Sequence, residues 1–187
     1  LVMVSKRIEA ILPRDKALAS YPDAVETKLP NQLMTPGFIN VHGHAAMTLL
    51  RGLADDREMT DWLTNWIWPI ERQLVDKQFV YDGTRLAILE MIMSGTTCAS
   101  DSYFFPEMAA RAVSEMHFRA QITLPVLQFE NNWAKNEDDH IHKGLAFRDN
   151  TKHDPLITTA FAPHAPYTVS DQGFEKIRLY AEQLGLP

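Results

Sequence analysis

Pro36-Gly37-Phe38-Ile39-Asn40-Val41-His42-Gly43-His44 is the stretch from which the fold reads outward. Its short apolar run, bounded by Pro-Gly before and Gly43 after, has the length and punctuation of a strand that ends in a loop. Strand side chains alternate with period two, so His42 and His44 share one face at the strand's C-terminal end. Two neutral imidazoles converging there suit Zn²⁺ or another borderline divalent cation. On spacing alone, two histidines bonded to backbone or water at a turn fit equally well.

Beyond His44 the same texture repeats. Apolar strands are expected near 38–41, 97–101, 119–124 and 157–161, separated by helical patterns. One helix is expected over 76–93, stopping at Gly95. A second is expected over 107–116 after Pro106, and a third from the N-cap Ser170 to Gly185. Residues 129–139 read as a polar loop feeding a helix near 140–148. This alternation implies parallel βα units. The expected fold class is therefore α/β, a TIM-type (β/α)₈ barrel of which residues 37–187 hold about the first four βα units, against roughly 250 residues for a complete barrel. In such a barrel the C-terminal rim carries the chemistry.

Residues 1–36 differ. Short β-prone pieces at 8–12 and 25–29 are separated by Pro13, Pro22 and Pro30, with a helical stretch near 16–20. They are expected to be part of a small β-sandwich. The start inside an apolar alternation, without Met, and the closing Gly185-Leu186-Pro187 after a helix suggest a chain truncated at both ends.

Composition narrows the function classes. The 187 residues are 45% hydrophobic and 22% charged, which excludes a disordered or fibrous chain. Eighteen Lys and Arg against 24 Asp and Glu leave a net charge of −6, so neither nucleic acid nor an anionic membrane is an expected partner. The apolar stretch around Leu86 to Met93 is broken by Glu90 and is far shorter than the ~20 residues that span a bilayer. The single cysteine, Cys98, cannot form an internal disulfide and suits a reducing compartment, so a cytoplasmic location is expected. A homo-oligomer stays open.

The strand and loop from Pro36 to Asp56, together with Trp62 to Glu71, Gly95 to Phe104 and Ala162-Pro163-His164-Ala165-Pro166-Tyr167-Thr168, resemble the amidohydrolase superfamily. More narrowly, they resemble the branch holding 5-methylthioadenosine/S-adenosylhomocysteine deaminases and triazine hydrolases. The likeness runs along essentially the whole chain. It implies a mononuclear metal site, usually zinc, whose bound water attacks the amidine carbon of an aminopurine and releases ammonia. His42 and His44 would be two of its ligands. A third His, a catalytic Glu and a metal-binding Asp are implied beyond Pro187. The expected activity is deamination of an adenine nucleoside, 5-methylthioadenosine first, with adenosine or S-adenosylhomocysteine as further substrates. The alternatives are an amidohydrolase acting on a free base or triazine, or a non-catalytic fragment.

The resemblance also gives roles to two single residues. Glu71 matches a carboxylate that accepts from the ribose hydroxyls, although by itself it could pair with Arg72 or Lys77. His164, between Pro163 and Pro166, matches a histidine that contacts the substrate's heterocycle, although a lone loop His is more often structural. Leu124 falls where members acting on S-adenosylhomocysteine carry an arginine, so an apolar lip of Leu124, Pro125 and Val126 is expected to favour a methylthio tail. His140 and His142 imitate the HxH pair but enter a helix, where i and i+2 diverge. Asp101 either faces the site or caps a turn with Ser102. Cys98 reads as packing, and Trp62, Trp66 and Trp68 as core and pocket wall.

Overall fold

A computed structural model describes residues 1–187. The chain forms two compact units, Leu1–Pro36 and Gly37–Pro187. In the first, β1 (Val2–Val4) and β2 (Arg7–Ala10) pair antiparallel across a turn in which Ser5 takes φ 56°. Helix α1 (Arg14–Ser20) follows. Residues 25–29 form no strand. They have no ladder partner, and Val25 is 95% exposed, so local β-propensity has nothing to pair with there.

The second unit carries a four-stranded parallel sheet in chain order: β3 (Phe38–Asn40), β4 (Thr96–Asp101), β5 (Arg119–Val126) and β6 (Ile157–Pro163). Between β3 and β4 come a 3₁₀ turn (Ala45–Leu50), α2 (Met59–Trp62), α3 (Trp68–Leu74) and α4 (Lys77–Met93). Helices α5 (Pro106–Glu115), α6 (Glu137–Thr151) and α7 (Asp171–Leu184) follow the later strands. Neighbouring strands in sequence are neighbours in the sheet, as βα units require.

Local chemistry sets the boundaries. Asp76 Oδ1 accepts from Phe79 N at 2.8 Å and starts α4, and Gly95 at φ 85° ends it. Asn136 Oδ1 accepts from Asp139 N, which starts α6 at Glu137, earlier than the expected 140. Ser170 Oγ accepts from Gly173 N, and Gly185 at φ 62° closes α7. Residues 59–74 are helical although their apolar spacing is only loosely periodic. The reason is a π-type turn over Leu63–Ile67 between α2 and α3, which falls where Pro69 withdraws an N–H from the α-helical ladder.

The core lies between sheet and helices, with Ile122, Leu124 and Val126 of β5 packed with Val80, Ile88, Val113, Ile141 and Phe147. β3, by contrast, is an edge strand whose Phe38 and Ile39 are 66% and 65% exposed. On the other edge, Phe161 N donates to Pro187 O at 2.9 Å, so the chain's last residue pairs with β6.

Candidate active site

The site is built where β3, β4 and β6 run out into loops. His42 and His44 lie just beyond β3 with ring centroids 5.1 Å apart and planes at 78°. His44 Nδ1 is 2.6 Å from Ser102 O, and because a carbonyl only accepts, Nδ1 carries the proton and Nε2 is left with its lone pair free. A backbone carbonyl behind the distal nitrogen is the usual way a ligating imidazole is oriented.

Three interactions from β4 and α4 hold this turn. Ser102 N donates to Gly43 O at 3.0 Å. Ala45 N donates to Asp101 Oδ1 at 2.6 Å, so Asp101 serves the turn after β3 while lying close to His44. Burial pushes the Asp101 carboxyl up to about 6, against the opposing pull of the Ala45 N–H, the His44 charge and the Ser102 N–H. The third is steric: Gly83 of α4 lets Ala46 approach so closely that a Cβ at Gly83 would stand 2.4 Å from Ala46 O.

Glu71 projects from α3 into the same region. Its Oε1 accepts from the Tyr103 hydroxyl at 2.7 Å. Burial raises the Glu71 pKa, while the Tyr103 hydrogen bond and the His44 charge lower it. The Tyr103 phenol is itself pushed upward by burial and by Glu71, so it stays a donor. Arg72 makes no ion pair with Glu71, and Lys77 lies by Glu107 at 3.8 Å. The backbone that carries Glu71 is tied down from the loop after β5: Asn132 Nδ2 donates to Glu71 O at 3.2 Å, Arg72 O at 3.1 Å and Val75 O at 2.8 Å. Glu71 O also accepts from Val75 N at 3.0 Å, so the two amide protons of Asn132 chiefly serve Arg72 O and Val75 O, carbonyls at the open C-terminal end of the helix.

His164 follows β6, with its N–H on Val126 O at 3.1 Å. Its Nδ1 is 2.9 Å from Thr168 Oγ1. The Thr168 hydroxyl spends its one proton on Ala165 O, so Nδ1–H is the donor in the His164 pair and Nε2 presents a lone pair. Burial and the His44 charge lower the His164 pKa and favour the neutral ring. Glu71, Asp101 and His164 all lie near enough to His44 to feel a proton placed on its ring.

The structure moves other residues out of the site. Leu124 is fully buried and faces α6, where a Cβ at Gly144 would lie 3.1 Å from Leu124 Cβ, and Val126 is equally buried. The apolar lip expected from Leu124, Pro125 and Val126 does not exist, because Leu124 and Val126 are core residues of β5. His140 is also fully buried. Its Nδ1 lies 2.9 Å from Pro125 O and its Nε2 2.8 Å from Asn131 Nδ2, a satisfied core histidine with no nitrogen left for a metal. His142 is exposed. Trp62 Nε1 donates to Leu53 O, and Trp66 lies under the Arg57 guanidinium at 4.5 Å. Tyr103 and Asn132 were not singled out by sequence reasoning. The aromatic run Tyr103-Phe104-Phe105, two residues past the end of β4, was the available signal for the first, and nothing local marks the second.

No group of three His, Cys, Asp or Glu is close enough to enclose a metal. The donor set nevertheless fits half of one: two adjacent imidazoles, His44 with Nε2 freed by its carbonyl partner, where a catalytic zinc takes three protein ligands and a water.

At one end of the parallel βα sheet an HxH pair, a partly buried carboxylate from α3 and a further histidine come together, as on the C-terminal rim of a βα barrel. The amidohydrolase family profile matches residues 33–187, and the chain belongs to that family. It is 50% identical over 187 residues to a 5-methylthioadenosine/S-adenosylhomocysteine deaminase of Saccharophagus degradans, covering 100% of this chain and 42% of the relative. To a 5'-deoxyadenosine deaminase of Methanospirillum hungatei it is 44% identical over 151 residues, covering 81% and 33%. Among solved structures, an adenosine deaminase from Xanthomonas campestris with bound zinc matches with a TM-score of 0.79 and 45% identity, over 81% of this chain and 35% of that one. A guanine deaminase from C. acetobutylicum shares the fold at a TM-score of 0.80 and 16% identity, covering 95% and 43%. The chain spans about two fifths of the length of the curated relatives it matches most fully. No helix is long and apolar enough to cross a membrane.

Proposed function

We propose that this chain supplies the HxH and substrate-reading half of a cytoplasmic, metal-dependent hydrolytic deaminase of adenine nucleosides. The substrate of first choice is 5-methylthioadenosine, with adenosine and S-adenosylhomocysteine in the same class, and ammonia is the co-product. The observation that carries the reading is the convergence of His42, His44, Glu71 and His164 at one end of one parallel sheet. The relatives named as nucleoside deaminases, at 50% and 44% identity, support it.

His42 and His44 would hold one divalent cation, zinc. Such a cation, when bound, makes water nucleophilic near neutral pH. The chain's own residues orient the ligand and the substrate. The Ser102 carbonyl fixes the His44 tautomer. His164 Nε2 offers an acceptor toward the heterocycle, held there by Thr168. Glu71 offers its carboxylate to a vicinal diol, and a carboxylate has acceptor sites enough for both hydroxyls. The loss of the Leu124 lip removes any discrimination by that residue among 5′ substituents, so the choice among the three nucleosides rests on the relatives alone.

Ammonia release by the zinc-loaded, full-length protein tests the proposal, with 5-methylthioadenosine, adenosine, S-adenosylhomocysteine and guanine as substrates. Turnover of the nucleosides and not of guanine is expected. Turnover of guanine alone would overturn it.

A further inference from the structure

Tyr103 is 8% exposed and sits at the start of the β4–α5 loop, its ring 6.4 Å from His44 and 5.2 Å from Phe104. The loop behind it is rigidly built. Phe105, itself 8% exposed, takes the left-handed φ 52° before Pro106 opens α5. A phenol fixed in this way can swing very little. Its hydroxyl donates to Glu71 Oε1 at 2.7 Å, and this is the one side-chain hydrogen bond that reaches the Glu71 carboxylate. The peptide of Glu71 is meanwhile clamped by Asn132. One end of Glu71 is thus held by its backbone and the other by a single oxygen, which sets the plane of the carboxylate.

We propose that Tyr103 is a positioning residue for diol recognition. By holding Oε1 it turns the remaining lone pairs of Oε1 and those of Oε2 toward two adjacent substrate hydroxyls. The proposal rests on the reading of Glu71 given above. Without the phenol, a terminal carboxylate torsion is broad and roughly two-fold, and the acceptor pair is presented in the matching orientation only part of the time. The loss belongs to binding, because the diol is remote from the bond that breaks, and a uniform binding loss appears in KM with kcat unchanged.

The experiment is steady-state kinetics of the full-length, zinc-loaded protein with adenosine and 2′,3′-dideoxyadenosine, for wild type, Tyr103→Phe and Glu71→Gln. Phenylalanine keeps the ring in its packing and removes only the oxygen. Tyr103→Phe is expected to raise KM for adenosine about tenfold, a loss of about 1.4 kcal/mol, with kcat and the dideoxy KM unchanged. Glu71→Gln is expected to raise the adenosine KM at least as much and to spare the dideoxy substrate as well. If Glu71→Gln discriminates between the two substrates and Tyr103→Phe does not, the positioning role is overturned while the reading of Glu71 stands. If Glu71→Gln affects both substrates alike, the reading of Glu71 fails and the role of Tyr103 fails with it. Equal losses on both substrates for Tyr103→Phe, with kcat falling, would assign Tyr103 to structure alone and overturn the proposal.

Discussion

β3 and β5 lie in the same parallel sheet and both deliver loops to the site, yet they are secured in opposite ways. β5 is buried along nearly its whole length, with Ile122, Leu124 and Val126 in the core, and its following loop is stitched by His140, Asn131 and Asn132. β3 is three residues long, with Phe38 and Ile39 more than half exposed, yet it carries His42 and His44. Its geometry is borrowed from neighbours, through the Asp101 carboxylate, the Ser102 backbone and the groove at Gly83. The side that would hold the metal is therefore placed by a few specific interactions. The β5 side, whose loop braces the backbone of Glu71 through Asn132, is placed by the core.

The largest expected effect is on the β3 side. His44→Ala in the full-length protein should lower kcat/KM on the order of a thousandfold, about 4 kcal/mol of barrier, and reduce bound zinc measured by elemental analysis. Retention of both would separate the HxH pair from the chemistry.

The β5 side should respond to pH through His140. Burial lowers its pKa to about 4 from an ordinary value near 6.5, against a smaller upward pull from the Pro125 carbonyl. Between those values the unfolded chain binds a proton that the folded chain refuses. Stability from this group is therefore level above pH 6.5 and falls as pH drops toward 4, by up to about 3 kcal/mol. Urea melts from pH 7.5 to 4.5, compared with those of His140→Gln, should show this slope diminished in the variant. An unchanged slope would locate the acid sensitivity elsewhere.

Next comes Gly83→Ala. In an ordinary helix interior this exchange stabilises by up to ~1 kcal/mol. Here the new Cβ would stand 2.4 Å from Ala46 O, so a loss of about 1–3 kcal/mol is expected, visible as a lower melting temperature. A gain in stability would mean that the turn after β3 yields easily, weakening the view that α4 places His44.

The smallest effect is expected from Asn132→Ala, at about 0.5–1.5 kcal/mol in chemical denaturation, because water can replace the amide at three carbonyls of a helix end. A loss above 3 kcal/mol would show the tether to be part of the core and not a brace on it.

Much of this was legible in local sequence. Asp76, Ser170 and Gly185 mark helix ends because capping chemistry acts within three residues, and four apolar runs between helical patterns predict a parallel sheet. The HxH pair and Glu71 stood out through motif context. The reading failed where orientation mattered. Leu124 looked like a lip because the resemblance puts an arginine of the site at its position, but which face of β5 meets α6 is settled by packing against Gly144. Residues 25–29 looked like a strand, but a strand needs a partner, and none is present.

By itself, the sequence determined the alternation of strands and helices, the helix caps and the presence of two imidazoles at a strand end. These follow from interactions a few residues long, where side-chain type and spacing nearly dictate backbone state. Tertiary structure alone decided that Ser102 orients His44, that Asp101 serves the turn after β3, and that Tyr103 and Asn132 grip opposite ends of Glu71. Each of those links joins residues 32 to 61 positions apart. Their energies depend on distances of about 3 Å that only the packed sheet and its loops bring about.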